Sequence, residues 1–237
     1  MIVIADPEAY KVKEDAYIKA REAESRIIPD ELLLQLPSVS DDHPYFAEWQ
    51  QRKASLSRLL KYLSAKRRAL HILDVGCGNG WMTHALYEAG HSVTGVDLNM
   101  FELKQAERVF GTNEKLQWAF ADVVADDLPF APFDIILFAA SCQYFPDIAA
   151  LTRKIACALS PEGEIHLMDS MFYKKRSANE ARTRSITYYG KLGTPEMISY
   201  YFHHARVDIS QIGYKRIYPV LAFRKTLEWW RYTRATD

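Results

Sequence analysis

Long apolar runs are missing from this chain. The longest, Ile135–Cys142, falls far short of the roughly 20 residues that a membrane-spanning helix needs. The opening stretch, MIVIADPEAYKVKED, is too briefly apolar for a signal peptide. Cysteine is scarce: three residues, at 77, 142 and 157, an odd number at long spacings. That pattern predicts neither a disulfide framework nor a zinc site, and it points to a reducing, cytoplasmic compartment. An excess of charge of one sign is also lacking, since 30 Lys and Arg balance 30 Asp and Glu. There is thus no global basic field for nucleic acid, which is not expected as a partner. Internal repeats and low-complexity tracts are absent as well. What the chain has is apolar and aromatic material, 49% and 13% of its 237 residues, enough for a large core.

The most informative stretch is His71–Asp97, HILDVGCGNGWMTHALYEAGHSVTGVD. It reads as a buried strand (His71–Val75), a glycine turn (Gly76 to Gly80), a helix (Trp81–Ala89) and a second strand (Ser92–Val96) ending on Asp97. Further along, the spacing predicts a helix over Met100–Phe110, a strand Leu116–Ala121 ending on Asp122, and an apolar strand Ile135–Ala140. A helix Pro146–Leu159 and a fifth strand Glu164–Asp169 follow. Alternating strands and helices imply a doubly wound, mostly parallel α/β sheet. Upstream, Pro7–Arg26 has helical character. Tyr45, Trp49, Leu56, Leu59, Leu60 and Leu63 mark an amphipathic helix from Pro44 to Leu63, with Asp42 as its start signal. Downstream, Thr194-Pro195 predicts a helix over Pro195–His204. Val207–Tyr214 and Ile217–Arg224 read as an antiparallel strand pair around a tight turn at Lys215-Arg216, and Thr226–Arg234 as a terminal helix.

Gly76 and Gly78 allow backbone conformations closed to other residues and let a ligand approach the main chain. The helix that follows points its free N–H groups to the same place. A dinucleotide motif, G-x-G-x-x-G/A, would need a small residue at position 81, where this chain has Trp81. The pattern here is G-x-G-x-G. Asp97 stands where a carboxylate can accept from both ribose hydroxyls, which suits any adenosine ligand. Asp122 stands where an adenine lying along the sheet edge would present its exocyclic amine.

Taken together, LDVGCGNGW, GVDLN, ADV after the third strand, FDIILFAA and ALSPEGEIHLMD resemble the class I S-adenosylmethionine-dependent methyltransferases, most nearly those acting on small molecules. The resemblance covers about Ala54 to Arg224. It implies a Rossmann-like sheet of seven strands with one antiparallel strand, and S-adenosyl-L-methionine as cofactor with S-adenosyl-L-homocysteine as product. Residues 54–237 would form the cofactor-binding domain and residues 1–53 a helical extension or cap. By the same resemblance Gly76, Gly78 and Gly80, with Cys77 among them, flank the methionine part, and Asp74 helps orient its amino group. Asp97 takes the ribose hydroxyls with Leu98 beside the adenine. Asp122 takes the adenine amine with Val123 next to it, and Ala139 stands below the sulfonium.

Methyl transfer from a sulfonium is an in-line displacement from an activated donor, so alignment and exclusion of water matter most. No metal is called for, and His203-His204 reads as helix surface. A base is needed only for an alcohol or phenol acceptor; His43, Tyr144 and Asp169 are candidates by position, whereas His166 reads as a packed core histidine. The Asn/Asp-Pro-Pro-Tyr/Phe turn of nucleobase and glutamine methyltransferases is replaced by AASCQY, which argues against nucleobase or glutamine N-methylation; a small organic acceptor is the expectation that the family resemblance gives. KKRSANEARTR reads as a solvated loop or lid, with contact to an anionic substrate as the alternative. Residues 1–53 are rich in Tyr10, Tyr17, Tyr45, Phe46 and Trp49; the resemblance implies a segment that folds over the cofactor and completes the acceptor pocket, with a homodimer contact as the alternative, and the Trp229-Trp230 pair suits either packing on the domain or such a contact. Two further functional readings are a non-catalytic cofactor-binding or interaction protein on the same fold and a nicotinamide oxidoreductase; Trp81 argues against the latter.

Overall fold

The computed structural model describes residues 1–130, 132–218 and 227–234. In chain order the elements are β1 (Ile2–Val3), α1 (Pro7–Ala23), α2 (Asp30–Leu33), α3 (Phe46–Ser64), β2 (His71–Val75), α4 (Trp81–Glu88), β3 (Ser92–Asp97), α5 (Met100–Phe110) and β4 (Leu116–Phe120). They continue with β5 (Phe133–Ala139), α6 (Ile148–Ala156), β6 (Leu159–Met168), β7 (Phe172–Tyr173), α7 (Lys175–Lys191), β8 (His204–Ala205), α8 (Arg206–Ile212), β9 (Lys215–Tyr218) and β10 (Trp229–Thr233). Local chemistry starts the main helices. Asp6, Asn99 and Asp147 cap α1, α5 and α6 with their side-chain oxygens, and Pro7 opens α1.

The main sheet runs β1-β4-β3-β2-β5-β6-β10-β9. All neighbours from β1 to β6 pair in parallel, and β10 is antiparallel to both β6 and β9. The expected α/β architecture with one reversed strand is present, extended by the two-residue β1 at the far edge. β2 has β3 on one side and β5 on the other. The winding reverses between β2 and β5, and this is where open parallel sheets bind ligands, at the carboxyl ends of their strands.

Both faces of the sheet are covered. Along β5, Ile135 and Leu137 join Leu59, Leu63 and Leu86 on the face of α3 and α4, while Ile136 and Phe138 join Leu151, Ile155 and Ile209 on the face of α6 and α8. Strands buried on two sides read as continuous apolar runs for this reason. α3 is one continuous helix through positions 53 and 54, and Trp49 and Leu56 belong to the same core.

Several sequence expectations are corrected near the C-terminus. Val207–Tyr214 is largely helix α8: Ile209 and Ile212 meet the core three residues apart, and Gly213 ends the helix at φ +109°. Lys215-Arg216 is strand β9, not a turn; the remainder of Ile217–Arg224 beyond Tyr218 lies outside the described residues. The stretch expected as a terminal helix, apart from Thr226, which is not described, contains strand β10. Trp229 and Trp230 are consecutive, each 5% exposed, and enter cores on opposite faces of the sheet, a period of two that only a strand supplies. They pack on the domain.

The helix expected over Pro195–His204 is a 3-10 turn, Pro195–Ser199, after which the chain extends so that His204 pairs with Phe172. His203 and His204 are therefore not helix surface; their ring nitrogens meet Ser185 Oγ and the Cys142 carbonyl. KKRSANEARTR is no loop but most of α7.

Candidate functional site

A cleft of about 800 Å³ opens over the carboxyl ends of β2, β3, β4, β5 and β6. The turn after β2 forms its floor. Gly76 lies at φ +71°, and a Cβ there would stand 2.4 Å from the Ser141 Cβ, so the chain passes close to the start of the β5–α6 connection. Gly78, at φ +54°, offers its N–H to Asp97 Oδ2 at 2.7 Å, and Asp97 Oδ1 accepts from Asn99 N at 2.9 Å. Burial raises the Asp97 carboxyl from its ordinary value, and these backbone donors oppose the rise. Burial also pushes up the Cys77 thiol.

Of the sequence-derived cofactor residues, Gly76, Cys77, Gly78, Asp97, Leu98, Asp122, Val123 and Ala139 all line this cleft. Asp74 and Gly80 do not. Asp74 is 1% exposed and accepts from Thr83 Oγ at 2.7 Å, which ties the strand before the turn to the helix after it. Burial pushes its pKa up to about 7. Gly80 is the left-handed N-cap of α4. At the end of β4, Asp122 accepts from Val124 N at 2.9 Å and from the Tyr10 hydroxyl at 2.8 Å.

His43, Tyr144 and Asp169 also line the cleft. His43 Nδ1 accepts from Tyr45 N at 3.1 Å. Tyr144 receives an Arg21 N–H at 3.4 Å and packs edge-on against Tyr17 and Tyr201. Asp169 sits at φ +56° and accepts from Ser55 Oγ at 2.6 Å; burial raises its pKa. His166 stays in the core. The Trp229 indole donates to Nδ1 at 2.9 Å, leaving Nε2–H to face Glu164 at 3.1 Å.

Sequence reasoning missed how α1 crosses the strand ends. Ile4 N and Ala5 N donate to Phe120 O, which anchors the start of the chain beside β4. α1 then delivers Tyr10 to Asp122, the Glu14 carboxylate to Phe101 N at 2.9 Å, and Tyr17 and Arg21 to the cleft wall. The only sequence signal was the aromatic content of the first 53 residues. Glu102 was also missed: it lies in the first turn of α5 and reads as an ordinary acidic residue of a helix start. No His, Cys, Asp and Glu cluster of metal-binding type occurs among the described residues.

Comparison with known proteins fits this geometry. Residues 72–163 match the family model described as a methyltransferase domain. A ubiquinone biosynthesis O-methyltransferase of Idiomarina loihiensis is 37% identical over 97 residues, 40% of this chain and 40% of the relative. An uncharacterized methyltransferase of Mycobacterium tuberculosis is 30% identical over 94 residues, 40% of this chain and 47% of the relative. The matched segment is thus less than half the length of each of these relatives. Among solved structures, magnesium protoporphyrin IX methyltransferase of Synechocystis with bound SAH aligns with a TM-score of 0.63 at 16% identity, over 95% of this chain and 99% of that one. The plantazolicin methyltransferase BpumL in complex with SAH gives a TM-score of 0.56 at 15% identity, over 96% and 98% of the two chains. At these identities the likeness is one of fold.

Proposed function

We propose that this chain, whose residues 72–163 match the model of a methyltransferase domain, is a class I S-adenosylmethionine-dependent methyltransferase that transfers a methyl group from S-adenosylmethionine to a small organic acceptor. One observation carries the reading. The glycine turn after β2, Asp97 after β3, Asp122 after β4 and Ala139 at the end of β5 meet in a single cleft. A nucleoside with an amino-acid tail fits this donor and acceptor set. The cleft is within the range of small-molecule sites.

In this reading Asp97 accepts from the ribose hydroxyls, Asp122 accepts from the adenine amine, and Leu98 and Val123 flank the purine. The backbone from Gly76 to Gly78 lies along the methionine part. Asp74 acts from behind, holding α4 against β2 through Thr83. Residues 1–53 act as the cap, with Tyr17, Tyr45 and Trp49 closing the cleft against water. When bound, S-adenosylmethionine supplies a methyl group on a sulfonium already activated for in-line displacement. The protein's own task is then alignment of the acceptor over Ala139. For an acceptor with a proton to lose, Asp169, Tyr144 and His43 are the candidates taken from among the titratable groups that line the cleft.

The acceptor is a small molecule in this proposal, and the compartment cytoplasmic. Free Cys77, Cys142 and Cys157 agree with a reducing milieu, and no described helix is long and apolar enough to cross a membrane. The test is S-adenosylhomocysteine formation from S-adenosylmethionine with a panel of phenols, amines, thiols and carboxylic acids. Product above the acceptor-free rate supports the proposal. Tight cofactor binding with no turnover across the panel would favour the non-catalytic binding protein.

A further inference from the structure

Two carboxyl groups crowd Gly78 in the cleft, and only one of them was expected. Asp97 Oδ2 receives the Gly78 N–H at 2.7 Å. From the other side, Glu102 Oε2 lies 3.0 Å from where a Gly78 Cβ would stand. Glu102 lines the cleft together with Asp97. Its own donors are few: Asn99 Nδ2 reaches Oε2 at 3.3 Å, whereas Asp97 has two backbone N–H groups at 2.7 and 2.9 Å.

Two carboxylates sharing one site do not both ionise readily, and the charge settles on the better-solvated or better-bonded partner. Here that partner is Asp97. Burial, then the Asp97 charge, push Glu102 up to about 8, so it holds its proton at neutral pH. The other groups that act on it electrostatically are Arg21 and Tyr17 on α1 and Cys77 on the turn. Arg21 favours the ionised form but does not offset burial.

We propose that Glu102 is a second ribose-recognition residue, its carboxyl donating to one oxygen of the vicinal diol while ionised Asp97 accepts from the diol's hydroxyls. The inference rests on the cofactor reading above and deepens it. A diol carries donors and acceptors together. One ionised carboxylate serves only its donors, whereas a protonated carboxyl beside it serves its acceptors as well. This arrangement favours a ribose over a deoxyribose in the site, and it makes binding depend on a proton held by Glu102.

The test uses calorimetric titration of S-adenosylhomocysteine into the full chain and into Glu102→Gln and Glu102→Ala, at about pH 7 and about pH 9, on either side of the Glu102 titration. The unliganded melting temperature of each variant checks its fold. Glu102→Ala is expected to bind about tenfold more weakly at neutral pH, the loss of one hydrogen bond. Glu102→Gln keeps a donor and is expected to bind like the wild type there. Raising the pH ionises Glu102 beside Asp97, so wild-type affinity is expected to fall by about tenfold relative to Glu102→Gln, whose amide does not titrate. The ligand's own amino group titrates equally in both titrations. Should Glu102→Ala fail to fold, the pH comparison with Glu102→Gln decides alone. Identical affinities for wild type and both variants at both pH values would overturn the assignment. If the wild type bound no S-adenosylhomocysteine at all, the cofactor reading itself would fall.

Discussion

The hydroxyl of Tyr10 donates to Oδ2 of Asp122 at 2.8 Å, joining α1 to the end of β4 across 112 positions of sequence. Burial and the Asp122 charge raise the phenol to about 12, so it remains a donor throughout the physiological range. The bond fixes the helix that roofs the cleft to the carboxylate assigned here to the adenine amine. Tyr10→Phe is expected to destabilise the chain by about 1 kcal/mol, the net worth of such a bond. Amides of residues 7–23 are expected to exchange faster with deuterium than in the wild type. Unchanged exchange over α1 would show that this bond does not hold the roof.

The glycine turn tolerates no side chain at Gly76. A Cβ there would lie 2.4 Å from the Ser141 Cβ, at a φ of +71°. Ser141 has little room to retreat, because its Oγ donates to Val75 O at 2.6 Å. Gly76→Ala is therefore expected to cost on the order of 2–3 kcal/mol through overpacking and backbone strain. Denaturant unfolding would measure the loss. A variant of wild-type stability would contradict the packing described.

Asp74 links the fold to pH. Its folded-state pKa is raised by burial from about 3.8 to about 7. Between these values the folded chain holds a proton that the unfolded chain has released, so stability falls as pH rises through this window. The expected slope is on the order of 1 kcal/mol per pH unit. Asp74→Asn should flatten the slope between about pH 4 and 7. Melting temperatures of the two proteins across that window are the check, and parallel curves would contradict the assignment.

The parallel core of the sheet was legible because strands buried on both faces leave continuous apolar runs, as in Ile135 to Phe138, and because glycines and terminal aspartates mark strand ends. The residues that the family resemblance assigns to the cofactor are a separate matter: they rest on the motifs as a set, and all of them but Asp74 and Gly80 line the cleft. The C-terminal region was not legible for an equally physical reason. Trp229 and Trp230 are adjacent and apolar, which a short stretch shares between helix and strand, and only pairing with β6 decides the matter. Val207 and Ile209 alternate like a strand, yet Ile209 and Ile212 pack like a helix ended by Gly213. Glu102 was invisible in sequence, and Tyr10 stood out only as one aromatic among several, because their roles depend on partners in other elements, Gly78 and Asp122.

The central claim is that Asp97 and the glycine turn hold an S-adenosyl nucleoside. The most direct measurement is calorimetric titration of S-adenosylhomocysteine and, separately, NAD into the wild type and Asp97→Asn, with circular dichroism to verify the fold. The wild type is expected to bind S-adenosylhomocysteine and not NAD. Asp97→Asn should weaken that binding by about a hundredfold, the loss of charge-assisted bonds to the ribose. No binding of S-adenosylhomocysteine to the folded wild type, or equal binding to wild type and Asp97→Asn, would contradict it.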